Sequence, residues 1–336
     1  MQPLSDPIVE YVEAPDQWRL ATYHYPWRSS KNYPVILVHG LGTNRFDVDF
    51  PERRLSLAKY LHQEGYDCWV IELRGTGQSH KRGLLNRCLT KLKSDWNFDD
   101  YVFKDLPVLV KHIQKKTGKK KLHWIGHSLG GTLIYAAIET LGDKVCASAV
   151  TLGSAMGASA KPGFVKILLK LDPIVKKLPY LPMRHLAQWG APLGRWVAPL
   201  EDNFYYAIDN VDMKTVEIGL KVAVENLSTA LLLQLHDWYK NNHFRSEDGS
   251  FSYRDHLKKI RAPFLICAGS VDGLTAFPDV HFAFKKIGSK DKRFQVFGRE
   301  EGCRTEYGHL DLVLGKNAPR EVFPVIADWL DKHGRK

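Results

Sequence analysis

The chain has 336 residues, of which 44% are hydrophobic and 11% aromatic, ample material for a buried sheet. That composition excludes a mainly disordered polymer. The formal charge is +11, but Lys and Arg are scattered apart from one run at Lys115–Lys121 around Gly118; lysines before a glycine suit a solvated helix C-terminus, so no nucleic-acid patch is read there.

Taken in chain order, the first eighteen residues show no basic stretch followed by an apolar core, so no signal peptide is expected. Val35–His39 reads as a buried strand running into the turn His39-Gly40-Leu41-Gly42. A helix is expected over 52–63, then a strand over Cys68–Glu72 that ends at Arg74-Gly-Thr-Gly-Gln-Ser79. Asn97, with Asp100 three positions on, starts a helix over about 97–116, which Pro107 should kink or split. Leu122–Ile125 is a strand leading straight into Gly126, and 129–141 is helical. Ala147–Leu152, Pro263–Ala268 and Arg293–Phe297 complete the strands, and a helix over 319–332 closes the chain. Strands alternating with helices predict an α/β fold with a mostly parallel central sheet covered on both faces.

The alternation lapses between about 155 and 255, where the pattern is mainly helical and prolines stand at 162, 173, 179, 182, 192 and 199. This stretch lies between two strands of the pattern. It therefore reads as a helical cap, 155–255, inserted between core segments 1–154 and 256–336. Within it, Gly163–Leu171 combines a broad apolar face with Lys166 and Lys170. We read that face as packing on the core, with peripheral contact to a membrane or lipid surface as the alternative. No apolar stretch reaches the roughly 18 residues needed to span a bilayer. Cys68, Cys88, Cys146, Cys267 and Cys303 show no CxxC spacing. Dispersed thiols suit a reducing compartment, so a cytoplasmic protein is expected.

The chemistry concentrates at Gly126-His127-Ser128-Leu129-Gly130, followed by Gly131. A G-x-S-x-G pattern between a strand and a helix puts its serine on a tight, strained turn where bulky neighbours would clash. The turn lifts Oγ clear of the sheet, and the helix N-terminus behind it favours developing negative charge. Ser128 is thus the candidate nucleophile. A serine hydroxyl needs a base, and in this arrangement the acid and then the histidine follow the serine along the chain. Asp272, just after the strand Pro263–Ala268, is placed to orient an imidazole, and His309 lies in the loop after the last strand. His281 is too close behind Asp272, and His333 falls beyond the last helix. Asp311, two residues from His309, is expected to point elsewhere. His39 and His127 precede or adjoin the serine and read as structural. The backbone N–H groups of Leu129 and Leu41 are the candidate donors for an oxyanion. No metal, nucleotide or cofactor motif is present, so no cofactor and no metal are expected.

These stretches resemble the α/β-hydrolase superfamily over most of the chain outside the cap. More narrowly, three stretches resemble the acid lipase branch and its bacterial relatives near the polyhydroxyalkanoate synthases. They are Asp105-Leu-Pro107 with Lys116-Thr-Gly118 and Leu122–Ser128; Val38–Asn44; and Gly308–Gly315. The resemblance implies a triad of Ser128, Asp272 and His309, an oxyanion hole from Leu41 and Leu129, and a helical cap over an apolar acyl pocket. Those synthases carry cysteine at the elbow where this chain has Ser128, which favours transfer to water over polymer growth. The expected function is cleavage of a hydrophobic, lipid-like carboxylic ester through an acyl-enzyme. The rivals are polyhydroxyalkanoate-related depolymerisation or acyl transfer, and a non-catalytic lipid- or ligand-binding module.

Overall fold

The computed structural model describes residues 6–27, 32–81, 96–157, 178, 180–193 and 204–334. The expected apolar runs form strands: β3 (Val35–Val38), β4 (Cys68–Ile71), β6 (Leu122–His127), β7 (Cys146–Leu152), β10 (Phe264–Gly269) and β11 (Lys292–Phe297). Two strands that the sequence reading did not pick out, β1 (Ile8–Glu13) and β2 (Trp18–Tyr25), pair antiparallel at one edge. They escape a search for apolar runs because polar residues interrupt both, and β1 is largely solvent-facing. The short β5 (His80–Lys81) pairs with β2. The sheet runs β1-β2-β4-β3-β6-β7-β10-β11, with every neighbouring pair from β4 to β11 parallel.

Alternating side chains feed two apolar layers, one on each face of the sheet. Ile36, Val38, Trp124 and Ile266 pack with the helices Leu106–Thr117 and Leu129–Leu141. Val35, Leu37, Ile125 and Leu265 pack with Leu57–Gln63 and Phe323–Lys332. Of the expected helices, 129–141 matches its bounds, whereas the others are subdivided. The 52–63 stretch opens as a 3-10 turn and becomes α-helical only past Ser56, whose hydroxyl accepts from Lys59 N–H. Asn97 and Asp100 form a reciprocal capping box, as their spacing suggests. The split near Pro107 takes the form of a π-helical turn over Tyr101–Asp105, with Pro107 in the first turn of the helix that follows. Lys115 and Lys116 sit in that helix's last turn, and Gly118 caps it at φ 68°. The closing helix breaks at Val322, ahead of Pro324.

Between β7 and β10 the described residues contain the helices Met183–Gly190, Met213–Val222 and Thr229–Asn241. The strands there, β8 (Tyr180–Leu181) and β9 (Leu227–Ser228), form a separate two-stranded sheet and add nothing to the central one. Gly163–Leu171 and Cys88 lie outside the described residues. Cys68, Cys146, Cys267 and Cys303 are free thiols. Among the described residues no helix is long and apolar enough to cross a membrane.

Candidate active site

Parallel neighbours align their C-terminal ends, and four consecutive strands here deliver the site residues. β3 ends at the Gly40–Leu41 turn, β6 at Ser128, β7 at Gly153, and β10 just before Asp272. Ser128 has φ 54° and ψ −124°, a conformation that costs a non-glycine residue energy and survives only where its surroundings enforce it. The glycines are part of that enforcement. A Cβ at Gly126 would lie 2.5 Å from the backbone of Gly130 and Gly131, and one at Gly130 would lie 2.4 Å from Val38 O. The elbow closes only if both are bare. Leu129 then opens the helix Leu129–Leu141, where its N–H has no intrahelical acceptor.

Asp272 is held by its own loop: Leu274 and Thr275 N–H donate to Oδ1 at 2.9 and 2.8 Å, and the Thr275 hydroxyl donates to Oδ2 at 2.6 Å. His309 Nδ1 meets Oδ2 at 2.8 Å. Burial alone would raise the Asp272 carboxyl, but the charge and hydrogen bond of His309, with the Thr275 bonds, hold it below the usual range. With Nδ1–H donated to that carboxylate, the lone pair of His309 resides on Nε2, which is buried and has no hydrogen-bond partner. Gly153, at φ 56°, makes room for the pair: a Cβ there would lie 3.0 Å from His309 Nδ1 and 3.2 Å from Asp272 Oδ2.

Ser128, His309, Leu41 and Leu129 line one cavity of about 390 Å³, and Asp272 lies behind His309. The Gly40–Leu41 turn stands close against the serine, since a Cβ at Gly40 would be 3.1 Å from Ser128 Cβ. The remaining wall is mainly apolar and comes largely from the segment between β7 and β10, including Val216, Leu220, Val224, Leu235 and Trp238. That segment is tied to the core through Glu225, which accepts from Asn44 Nδ2 at 2.9 Å, Gly77 N–H at 3.1 Å and Arg184 at 3.0 Å. The arrangement can deprotonate a hydroxyl beside an apolar pocket. Among the described residues no group of His, Cys, Asp or Glu side chains is suited to hold a metal ion.

The remaining candidates fall into place by their partners. His39 donates from Nδ1 to Gly40 O at 2.9 Å and accepts Leu73 N–H at Nε2 at 3.2 Å; its burial pushes the imidazole pKa down, keeping it neutral. Asp311 accepts Gly308 N–H and Ala207 N–H, so it shapes the His309 loop and turns away from the imidazole edge. Thr275, Gly153 and Asp47 were not singled out from the sequence. Thr275 had a readable signal, because an aspartate three residues before a threonine suits a side-chain-capped turn. Asp47 had none, since its partner His127 is 80 residues away.

A family model described as alpha/beta hydrolase fold matches residues 33–184. The chain is 29% identical to a Schizosaccharomyces pombe protein named "Probable lipase", over 92% of this chain and 73% of that one. It is 24% identical to the lysosomal acid lipase/cholesteryl ester hydrolase of Rattus norvegicus, over 83% of this chain and 75% of the relative. Among solved structures, the monoacylglycerol lipase of Paleococcus ferrophilus superposes with a TM-score of 0.60 at 21% identity, covering 94% of this chain and 99% of its own. The chain thus has the α/β-hydrolase fold, and the curated relatives it resembles are named as lipases.

Proposed function

We propose that the protein is a carboxylic-ester hydrolase of lipase or esterase type that works through an acyl-enzyme on Ser128. The observation that carries this reading is the state of His309. Its Nδ1 is held by Asp272, its Nε2 is buried and unpartnered, and its ring lines the cavity that Ser128 also lines. His309 Nε2 takes the Ser128 proton as Oγ attacks the ester carbonyl, and Asp272 stabilises the imidazolium that results. The N–H groups of Leu41 and Leu129 receive the oxyanion. The alcohol leaves with the proton from His309, and a water activated by the same nitrogen releases the acid.

The substrate is an ester with a hydrophobic acyl part. The apolar wall supports this, as do the lipase names of the relatives. Residues 155–255 act as the cap over that pocket. Peripheral contact with a lipid surface is supported by the helix Met183–Gly190, where Leu186 and Trp189 are 57% and 80% exposed. Buried free thiols at Cys68, Cys146 and Cys267 support a reducing, cytoplasmic setting.

Hydrolysis of an ester series of increasing acyl length, wild type against Ser128→Ala, tests the reading. The variant should lose about a thousand-fold or more in kcat while remaining folded. Equal turnover in both proteins would remove Ser128 from the chemistry.

A further inference from the structure

A second imidazole–carboxylate pair stands beside the first and lines the same cavity. Asp47, at the end of the 3-10 turn Arg45–Asp47, and His127, the residue before the nucleophile, are 1% and 2% exposed. His127 Nδ1 lies 2.9 Å from Asp47 Oδ2, and that same oxygen accepts Gly40 N–H at 2.8 Å. On the far side of the ring, His127 Nε2 donates to the backbone carbonyl of His309 at 3.2 Å. The His127 and His309 rings stand 4.8 Å apart. One buried unit therefore touches the Gly40–Leu41 turn, the nucleophile elbow and the His309 loop, which come from three separate places in the chain.

We propose that His127 and Asp47 form a positioning pair that holds the His309 loop and the Gly40–Leu41 turn in register around Ser128. Neither residue touches the reacting atoms; Asp47 acts through the N–H of Gly40, next to Leu41, and His127 through the carbonyl of His309. A carbonyl only accepts, so His127 Nε2 carries a proton. An ionised Asp47 likewise only accepts, so Nδ1 also keeps its proton and the ring is an imidazolium. Burial alone would lower the His127 pKa and raise that of Asp47, but each charge outweighs it, so the imidazole shifts up and the carboxyl down. The titratable groups facing the pair are His309, Asp272 and His39. The pair carries no net charge against the imidazolium that must form on His309, so its contribution is geometric. Outer partners that orient the ligands of a metal site typically cost about 10- to 100-fold when replaced, and we expect a loss of the same order for this pair.

The inference rests on the ester-hydrolase reading for its kinetic test. We expect His127→Gln and Asp47→Asn each to lower kcat about 10- to 100-fold, with KM within about two-fold and the circular dichroism spectrum retained. The double variant should fall no further than the worse single one, because either change breaks the same unit. Multiplicative losses, or losses explained wholly by the unfolded fraction, would overturn the proposal. If wild type turns over no ester, the ester reading fails by itself, and the pair is then judged by histidine ¹⁵N NMR of the intact protein. Protons on both His127 nitrogens at neutral pH, with the His309 Nδ1 proton lost from view in His127→Gln, are expected. A singly protonated His127, or an unchanged His309 signal in the variant, would overturn it.

Discussion

The pairs His309–Asp272 and His127–Asp47 are built from the same two side-chain types, both buried, and differ in what the second ring nitrogen meets. Nδ1 lies 2.8 Å from its carboxylate in the first pair and 2.9 Å in the second. In both, the imidazole outweighs a burial effect that would otherwise raise the carboxyl pKa. At Nε2 they part: His127 donates to a carbonyl, whereas His309 has no partner. A base needs a free lone pair, so the unsatisfied ring can take a proton and the satisfied one can only hold its place. On the proposed mechanism, reactivity at this site follows from one withheld hydrogen bond, which a buried polar atom normally would not tolerate.

The comparison can be broken most severely at Asp272. Asp272→Asn keeps the shape but favours the wrong His309 tautomer, and kcat should fall on the order of 10³–10⁴-fold with the fold intact. Ester turnover measured beside circular dichroism checks this, and a loss near that of the His127 variants would erase the distinction between the pairs. A gentler cut is Thr275→Val, which removes the hydroxyl held at 2.6 Å from Asp272 Oδ2. One hydrogen bond of about 1 kcal/mol corresponds to roughly a five-fold loss in kcat. Steady-state rates over a range of ester concentrations measure it.

Glu139 is a buried carboxyl with no imidazole acting on it. Both oxygens of Glu139, on the helix Leu129–Leu141, are buried without a hydrogen-bond partner. Burial pushes this group up to about 9, only partly opposed by Lys259. Its folded value exceeds the unfolded value of about 4.3, so the folded state keeps a proton that the unfolded state releases between them. Stability from this group therefore falls as pH rises through that window. Glu139→Met should flatten the decline and stabilise the protein by about 1–3 kcal/mol at pH 8. Urea midpoints at pH 5 and pH 8 give the slope, and an unchanged slope would mean that the carboxyl finds a partner in solution.

The sequence by itself determined what is local. The elbow was legible because a strand, Gly126, Ser128, Gly130 and a helix are contiguous, and the turn they form needs no distant residue to be recognised. The parallel strands showed as short apolar runs because both their faces are buried, while β1 and β2 at the edge did not. Asp272 and His309 followed from chain order and from lying beyond strand ends. Only the tertiary structure decided which of His39, His127 and His309 is left with an open nitrogen in the cavity that Ser128 lines. His39, His127 and His309 are alike as letters, and each is defined by partners from elsewhere: Leu73 for His39, Asp47 for His127, Asp272 for His309. Hydrogen bonds across the ends of neighbouring strands depend on sheet order and register, which place β3 beside β6 although 83 residues separate Val38 from Leu122. No spacing in the chain encodes that neighbourhood, because it is created when the sheet assembles.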